Sequence, residues 1–130
     1  MGHNSGHNKE EAERATREWR ISLARDKQAA AIVDRWNSEL ADGKRPQFSP
    51  TLEAAFRARR PWLRVYCPGC QMENDVDLRR IVRPQDFPIV GLRAALVCET
   101  LCRGQGPVPV LRGLHQFPFD RRRVTWKDRA

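Results

Sequence analysis

Between Lys9 and about Ala41 the chain carries no Pro or Gly and is rich in Ala, Glu and Arg, a composition that favours helix. Ala12, Ala15, Trp19, Ser22, Asp26, Ala29, Val33, Trp36 and Leu40 recur at alternating spacings of three and four, which sets them on one stripe of that helix. Glu10, Glu11 and Glu13 suit the positive end of its dipole, and Gly43 stands where a C′ glycine ends it. Ser22 and Asp26 interrupt the stripe at its centre. The segment is therefore either one helix or a helical hairpin in which Asp26 caps a second helix with Ala29 to Leu40 as its body. The stripe either packs on the rest of the chain or self-associates through Trp19, Val33, Trp36 and Leu40. The first reading is favoured, because the weak central positions make a poor coiled-coil seam.

Beyond it the period changes. Residues 43–50, with two prolines and a glycine, read as a linker. Ser49-Pro50 signals a new helix start, a hydroxyl N-cap followed by proline. Thr51 to Arg59 then forms a short helix with Leu52, Ala55 and Phe56 on one face, ended by Pro61. Trp62 to Tyr66 alternates apolar and polar residues and reads as a strand, with Val76 to Leu78 as the returning arm of a hairpin. Pro84, Pro88 and Gly91 make residues 84–93 irregular or a single helical turn. Ala94 to Cys98 is apolar, a Gly/Pro turn follows at 103–107, and Val108 to Leu114 reads as a third strand. The divisions expected are a disordered start (1–8), a helical region (9–42), a linker and short helix (43–60), a sheet module (61–116) and a basic tail (117–130). The fold class is α+β: an N-terminal helix or helical hairpin, then a small zinc-ribbon-like antiparallel sheet.

At 130 residues, 40% hydrophobic and 31% charged, the chain suits one compact domain with an appendage. It has no apolar run of about 18 residues to span a bilayer, and Met1 to Asn8 lacks the apolar stretch of a secretory signal. No membrane contact and a cytoplasmic location are expected. The net charge of +8 is uneven: residues 1–42 hold seven Lys/Arg against eight Asp/Glu, and residues 43–130 hold seventeen against eight. Twenty of the 24 basic residues are arginine, whose planar fork matches phosphate and carboxylate. Arginine richness also follows from GC-rich coding, so the two readings stand level. Nucleic acid or an acidic protein surface is the expected partner class. The candidate contacts are Arg57, Arg59, Arg60, Arg64, Arg79, Arg80, Arg83, Arg112 and the run Arg121, Arg122, Arg123, with Trp62 or Trp126 available for stacking.

Cys67-Pro-Gly-Cys70 is followed, after 27 intervening residues, by Cys98-Glu-Thr-Leu-Cys102. In a reducing compartment two close cysteine pairs read as metal ligands rather than disulfides. Zinc takes four soft ligands in a tetrahedron, and two cysteines two residues apart reach one ion when the chain between them turns tightly. Pro68 pre-sets φ for that turn, and Gly69 tolerates a positive φ. The intervening length allows a returning strand, a crossover and a third strand to bring the second pair opposite the first. The three-residue second gap predicts a wider or helical turn there. One structural Zn²⁺ held by Cys67, Cys70, Cys98 and Cys102 is the expectation, against a redox pair or four metal-free buried thiols. His115 is the reserve ligand, expected instead on the sheet face or in solvent.

Residues 61–114 resemble a group of small zinc-ribbon-like proteins of alphaproteobacteria. The resemblance is carried by Trp62, the run Val65 to Cys70, Asp77-Leu78-Arg79, the second cysteine pair and Leu111 to Leu114, with the MGHNSG opening. It implies zinc binding and no particular activity. Four cysteinates close the coordination sphere, and no glycine-rich phosphate loop or Ser/His/Asp grouping can be assembled, so no enzyme is expected. Two functions follow: a nucleic-acid-binding module, or a protein adaptor that docks or self-associates through the N-terminal helix.

Overall fold

The structure, a computed structural model, describes residues 5–98, 102–118 and 126–128. It is an α+β arrangement of a long helix, α1 (Ser5–Ala41), a short helix, α2 (Leu52–Arg57), and five strands. β1 (Trp62–Cys67), β2 (Met72–Asp77) and β4 (Val110–His115) form one antiparallel sheet in the order β2-β1-β4. β3 (Leu96–Cys98) pairs antiparallel with β5 (Trp126–Asp128) in a second, two-stranded sheet. No helix among the described residues is long and apolar enough to cross a membrane.

α1 is continuous over 37 residues, about 55 Å at 1.5 Å per residue. Neither Ser22 nor Asp26 breaks it. With no Pro or Gly between Lys9 and Ala41, a polar stripe position costs too little to end the helix. Asp26 is no cap: it accepts a 3.0 Å bond from Arg57 Nη1 and ties α1 to α2. The helix already runs from Ser5, inside the stretch expected to be disordered. It ends as expected at Gly43, whose φ of +74° closes a Schellman turn with Lys44 N donating to Glu39 O (2.9 Å) and Gly43 N to Leu40 O (3.0 Å).

Only the second half of α1 packs. Residues 8–25 are exposed throughout, whereas Ala29, Val33 and Trp36 are buried. Val33 and Trp36 join Leu52 and Ala55 of α2, Leu63 and Val65 of β1, Val76 of β2, and Leu111 and Leu114 of β4 in one core. The alternation on β1 decides which side is covered. Leu63, Val65 and Cys67 point inward, and Trp62, Arg64 and Tyr66 lie on the half-buried outer face.

The start of α2 departs from its expected cap. Thr51, not Ser49, is the N-cap and accepts from Ala54 N at 3.1 Å. The Ser49 hydroxyl accepts from Val90 N (3.0 Å) and donates to Pro50 O (2.9 Å), so it ties the linker to the 84–93 segment. That segment is anchored further by Leu52 N to Phe87 O (3.0 Å) and Ile89 N to Pro50 O (2.8 Å). A 3-10 turn at Ile89–Leu92 buries Ile89 and Leu92 in the core.

α1 meets the sheet at the edge strand β4. The Asn37 carboxamide donates to Leu114 O (2.9 Å) and accepts from Leu114 N (2.8 Å). The β1–β4 register pairs Arg64 with Gly113 but Val65 with Leu111, so Arg112 is the extra residue of a bulge. Gly113 has φ +143°, and a Cβ there would lie 2.9 Å from Asn37 Oδ1. Bulge, glycine and helix contact are one device.

Candidate metal centre

β1 and β2 form a hairpin in which Cys67 pairs with Met72, leaving residues 68–71 as its tip. Gln71 N closes the tip onto Cys67 O at 2.7 Å. The positive φ expected at Gly69 falls instead on Gln71, at +58°. Gly69 is required for a different reason: a Cβ there would sit 2.8 Å from Cys102 Sγ and 2.8 Å from Pro107 Cδ. The second pair arrives on β3, which ends at Cys98, and on the turn that begins at Cys102. Gly104 N donates to Cys98 O (2.7 Å) and Gln105 N to Cys102 O (3.0 Å), across left-handed residues Arg103 and Gly104. Gly106 repeats the logic of Gly69, since its Cβ would come within 2.7 Å of Cys102 Cβ. The two ligand loops thus interlock, glycine against sulfur. The gap residues Glu99, Thr100 and Leu101, where a wider or helical turn was expected, lie outside the described residues.

The four sulfurs all lie within 4.8 Å of one another. Cys67 Sγ is 3.5 Å from Cys102 Sγ, and Cys70 Sγ is 3.7 Å from Cys98 Sγ. These separations far exceed the roughly 2.05 Å of a disulfide, and all four cysteines are free. A tetrahedral ion with sulfurs at about 2.3 Å would space them about 3.8 Å apart. The donor set therefore fits a metal ion. Cys67 and Cys98 are buried and Cys70 and Cys102 half-buried, so the cluster sits at the rim of the core. His115 is not among its members. It lies on β4 opposite Trp62, where burial, followed by the charge of Arg64, lowers its pKa.

Two of the thiols, Cys70 and Cys102, resist ionisation when only protons are available. The Cys102 thiol is pushed up to about 12, first by its bond with Cys67 and then by desolvation. Cys70 is raised first by desolvation and then by its bonds with Cys67 and Cys98. A divalent cation reverses that logic, because a thiol that coordinates it releases its proton to solvent and binds as the thiolate.

The candidate arginines do not form one free surface. Arg57 bonds Asp26 and Glu53, each at 3.0 Å, and Arg60 lies 3.5 Å from Asp34. Arg64 faces Asp75 at 3.4 Å and Glu73 at 4.0 Å. Arg79 clasps Asp77 at 2.8 Å and lies over the Trp62 ring at 5.4 Å, with Arg80 4.0 Å from the same carboxylate. Arg83 covers Phe87, Arg112 stacks 4.8 Å over Tyr66, and Arg59 is exposed in a left-handed conformation. Arg121, Arg122, Arg123 and the side chain of Trp126 lie outside the described residues.

A different set of cations converges elsewhere. Lys44, Arg45, Arg93 and Arg112 line a groove of about 560 Å³ between the end of α1, the linker and β4. Three of the four were missed because their neighbours in space come from three distant segments. The charge excess after residue 43 was the available signal.

Compared with known protein families, with curated proteins and with solved structures, the chain finds no match in any of the three.

Proposed function

We propose that the protein is a non-catalytic zinc-binding module that binds nucleic acid. The observation that carries the first half is the four-sulfur cluster. Its all-thiolate donor set suits zinc, and with four protein ligands the ion has no open position for substrate or water. Zinc is then structural, joining the β1–β2 tip to the 98–107 segment. Reduced thiols suit a reducing compartment such as the cytoplasm. The second half is supported by the +9 charge of residues 43–130, which falls by two when four thiolates bind one Zn²⁺. Metal analysis should find about one zinc per chain. Anisotropy titration with labelled oligonucleotides should show affinity falling steeply with salt, and a salt-insensitive complex would count against phosphate contact.

A second reading, a protein adaptor, is supported by the exposed first half of α1, where Trp19 is 64% exposed. Val33 and Trp36 are already covered by their own chain and cannot serve an intermolecular seam. Light scattering on the full chain distinguishes the readings: a monomer whose oligonucleotide affinity survives Trp19→Ala removes the adaptor.

A further inference from the structure

The groove lined by Lys44, Arg45, Arg93 and Arg112 combines two features that a solvated charged face lacks. Its floor is apolar, with the buried Trp36 and Leu111 among its lining residues, and Phe48 and the 51%-exposed Val90 line it as well. Among the described residues no carboxylate lines it, in contrast to the arginines of the outer sheet face. Two of the cations are held in place. Arg93 Nε donates to Pro109 O at 2.9 Å, and Arg112, carried outward on the β4 bulge, stacks 4.8 Å over Tyr66. Arg35 lies 4.8 Å over the Phe48 ring. The cavity is of the size that takes a small organic group.

Resting on the nucleic-acid reading above, we propose that this groove seats one unstacked nucleobase of a single strand, with the flanking phosphates on Lys44, Arg45, Arg93 and Arg112. A duplex keeps its bases stacked inside and has nothing to offer an apolar floor, whereas a single strand presents base and phosphate together. An acidic peptide is the competing occupant. One side chain cannot meet cations from three separate segments around a single apolar group, but within a strand each nucleoside is flanked by a phosphate on its 5′ and its 3′ side. The zinc cluster supports the wall of the site, because Tyr66 pairs with Val110 of β4 and is followed directly by the ligand Cys67.

The test uses the zinc-loaded full chain, fluorescein-labelled dT12, and a duplex of equal length. The parent binds dT12 more tightly than the duplex. Arg45→Gln with Arg112→Gln weakens dT12 about tenfold and lowers the salt slope by about 1.4, two contacts at roughly 0.7 each. Phe48→Leu keeps an apolar side chain against the core, weakens dT12 about tenfold and leaves the slope unchanged. Zinc content and circular dichroism confirm that each variant is folded. If the parent binds dT12 and both variants match it, or if Arg59→Gln costs as much as the groove pair, this proposal is overturned and the nucleic-acid reading stands. If the parent binds no oligonucleotide but binds a glutamate–tyrosine copolymer through the groove, both fail.

Discussion

The carboxamide of Asn37 pairs with the main chain of Leu114 in both directions, at 2.9 and 2.8 Å, as a neighbouring strand would. β4 is a sheet edge, and an edge offers unpaired peptide groups that need a partner. Asn37 satisfies one N–H and one C=O at once and fixes where α1 docks. Asn37→Ala should cost about 1–3 kcal/mol, since a part-buried peptide unit then loses both bonds. Asn37→Asp should cost more, because it turns an acceptor toward Leu114 O. Denaturant unfolding of the zinc-loaded protein measures both. Equal midpoints for parent and Asn37→Ala would show that water replaces the amide without loss.

Gly69→Ala removes no ligand yet should weaken metal binding. Its Cβ would press on Cys102 Sγ and Pro107 from 2.8 Å, distances that force a loop to move. Displacing a ligand's support costs about 10- to 100-fold in metal affinity. Competition with a chromophoric chelator reads this directly, and parent-like affinity would mean that the two ligand loops separate freely.

The cysteine cluster was legible in the sequence because its information is local: two short gaps, a turn dipeptide and flanking strand patterns. The burial of Val33 and Trp36 was legible because the 3.6-residue period survives in a helix that packs on one side. Ser49 was misread as a cap because its partner, Val90 N, is 41 residues away. Gly69 was rightly singled out, but on backbone grounds, when the deciding contact is with a sulfur from another segment. The arginines show the limit most clearly. Arg57 and Asp26 look like two surface charges until the fold brings them to 3.0 Å. β5 was hidden inside a stretch read as basic tail, because three residues are too few to show a period.

Removing the metal should destabilise the module as a unit. Zinc is expected to supply several kcal/mol of folding free energy, less than the roughly 10–16 kcal/mol seen for zinc-finger peptides that have no core of their own. Chelation should release about one zinc per chain and lower the unfolding midpoint. Cys67→Ser should be more damaging than Cys70→Ser, because Cys67 is fully buried at the end of β1 whereas Cys70 is half-buried on the tip. Calorimetry with and without chelator decides it. An unchanged midpoint would show that the apolar core holds the fold alone.

The two halves of α1 should respond unequally to the same mutation. Trp36 is 2% exposed within the core and Trp19 is 64% exposed. Trp36→Ala should cost about 3–5 kcal/mol through the cavity it leaves. Trp19→Ala should change stability by no more than about 0.5 kcal/mol in a monomer. A large loss for Trp19→Ala that grows with protein concentration and fades on dilution would reveal a second copy on that face.

Asp77 and His115 bend the pH dependence of stability in the same direction, through different windows. Burial pushes Asp77 up, but its bonds to Arg79 outweigh this and leave it below the ordinary 3.8. Its contribution is therefore full above that value and lost as pH falls through the lower folded one. His115 is held below 6.5, first by burial and then by Arg64. As pH drops from 6.5 the unfolded chain takes up a proton that the folded chain refuses, so stability declines there too. His115→Gln should flatten the stability profile between 6.5 and the lower folded value. Asp77→Asn, which keeps an oxygen for the Arg79 N–H cap, should flatten only the segment below 3.8. Urea midpoints across this range, compared variant against parent, separate the two because metal release on acidification is common to all three proteins. If His115→Gln leaves the upper segment as steep as before, the imidazole takes its proton as readily in the fold as outside it.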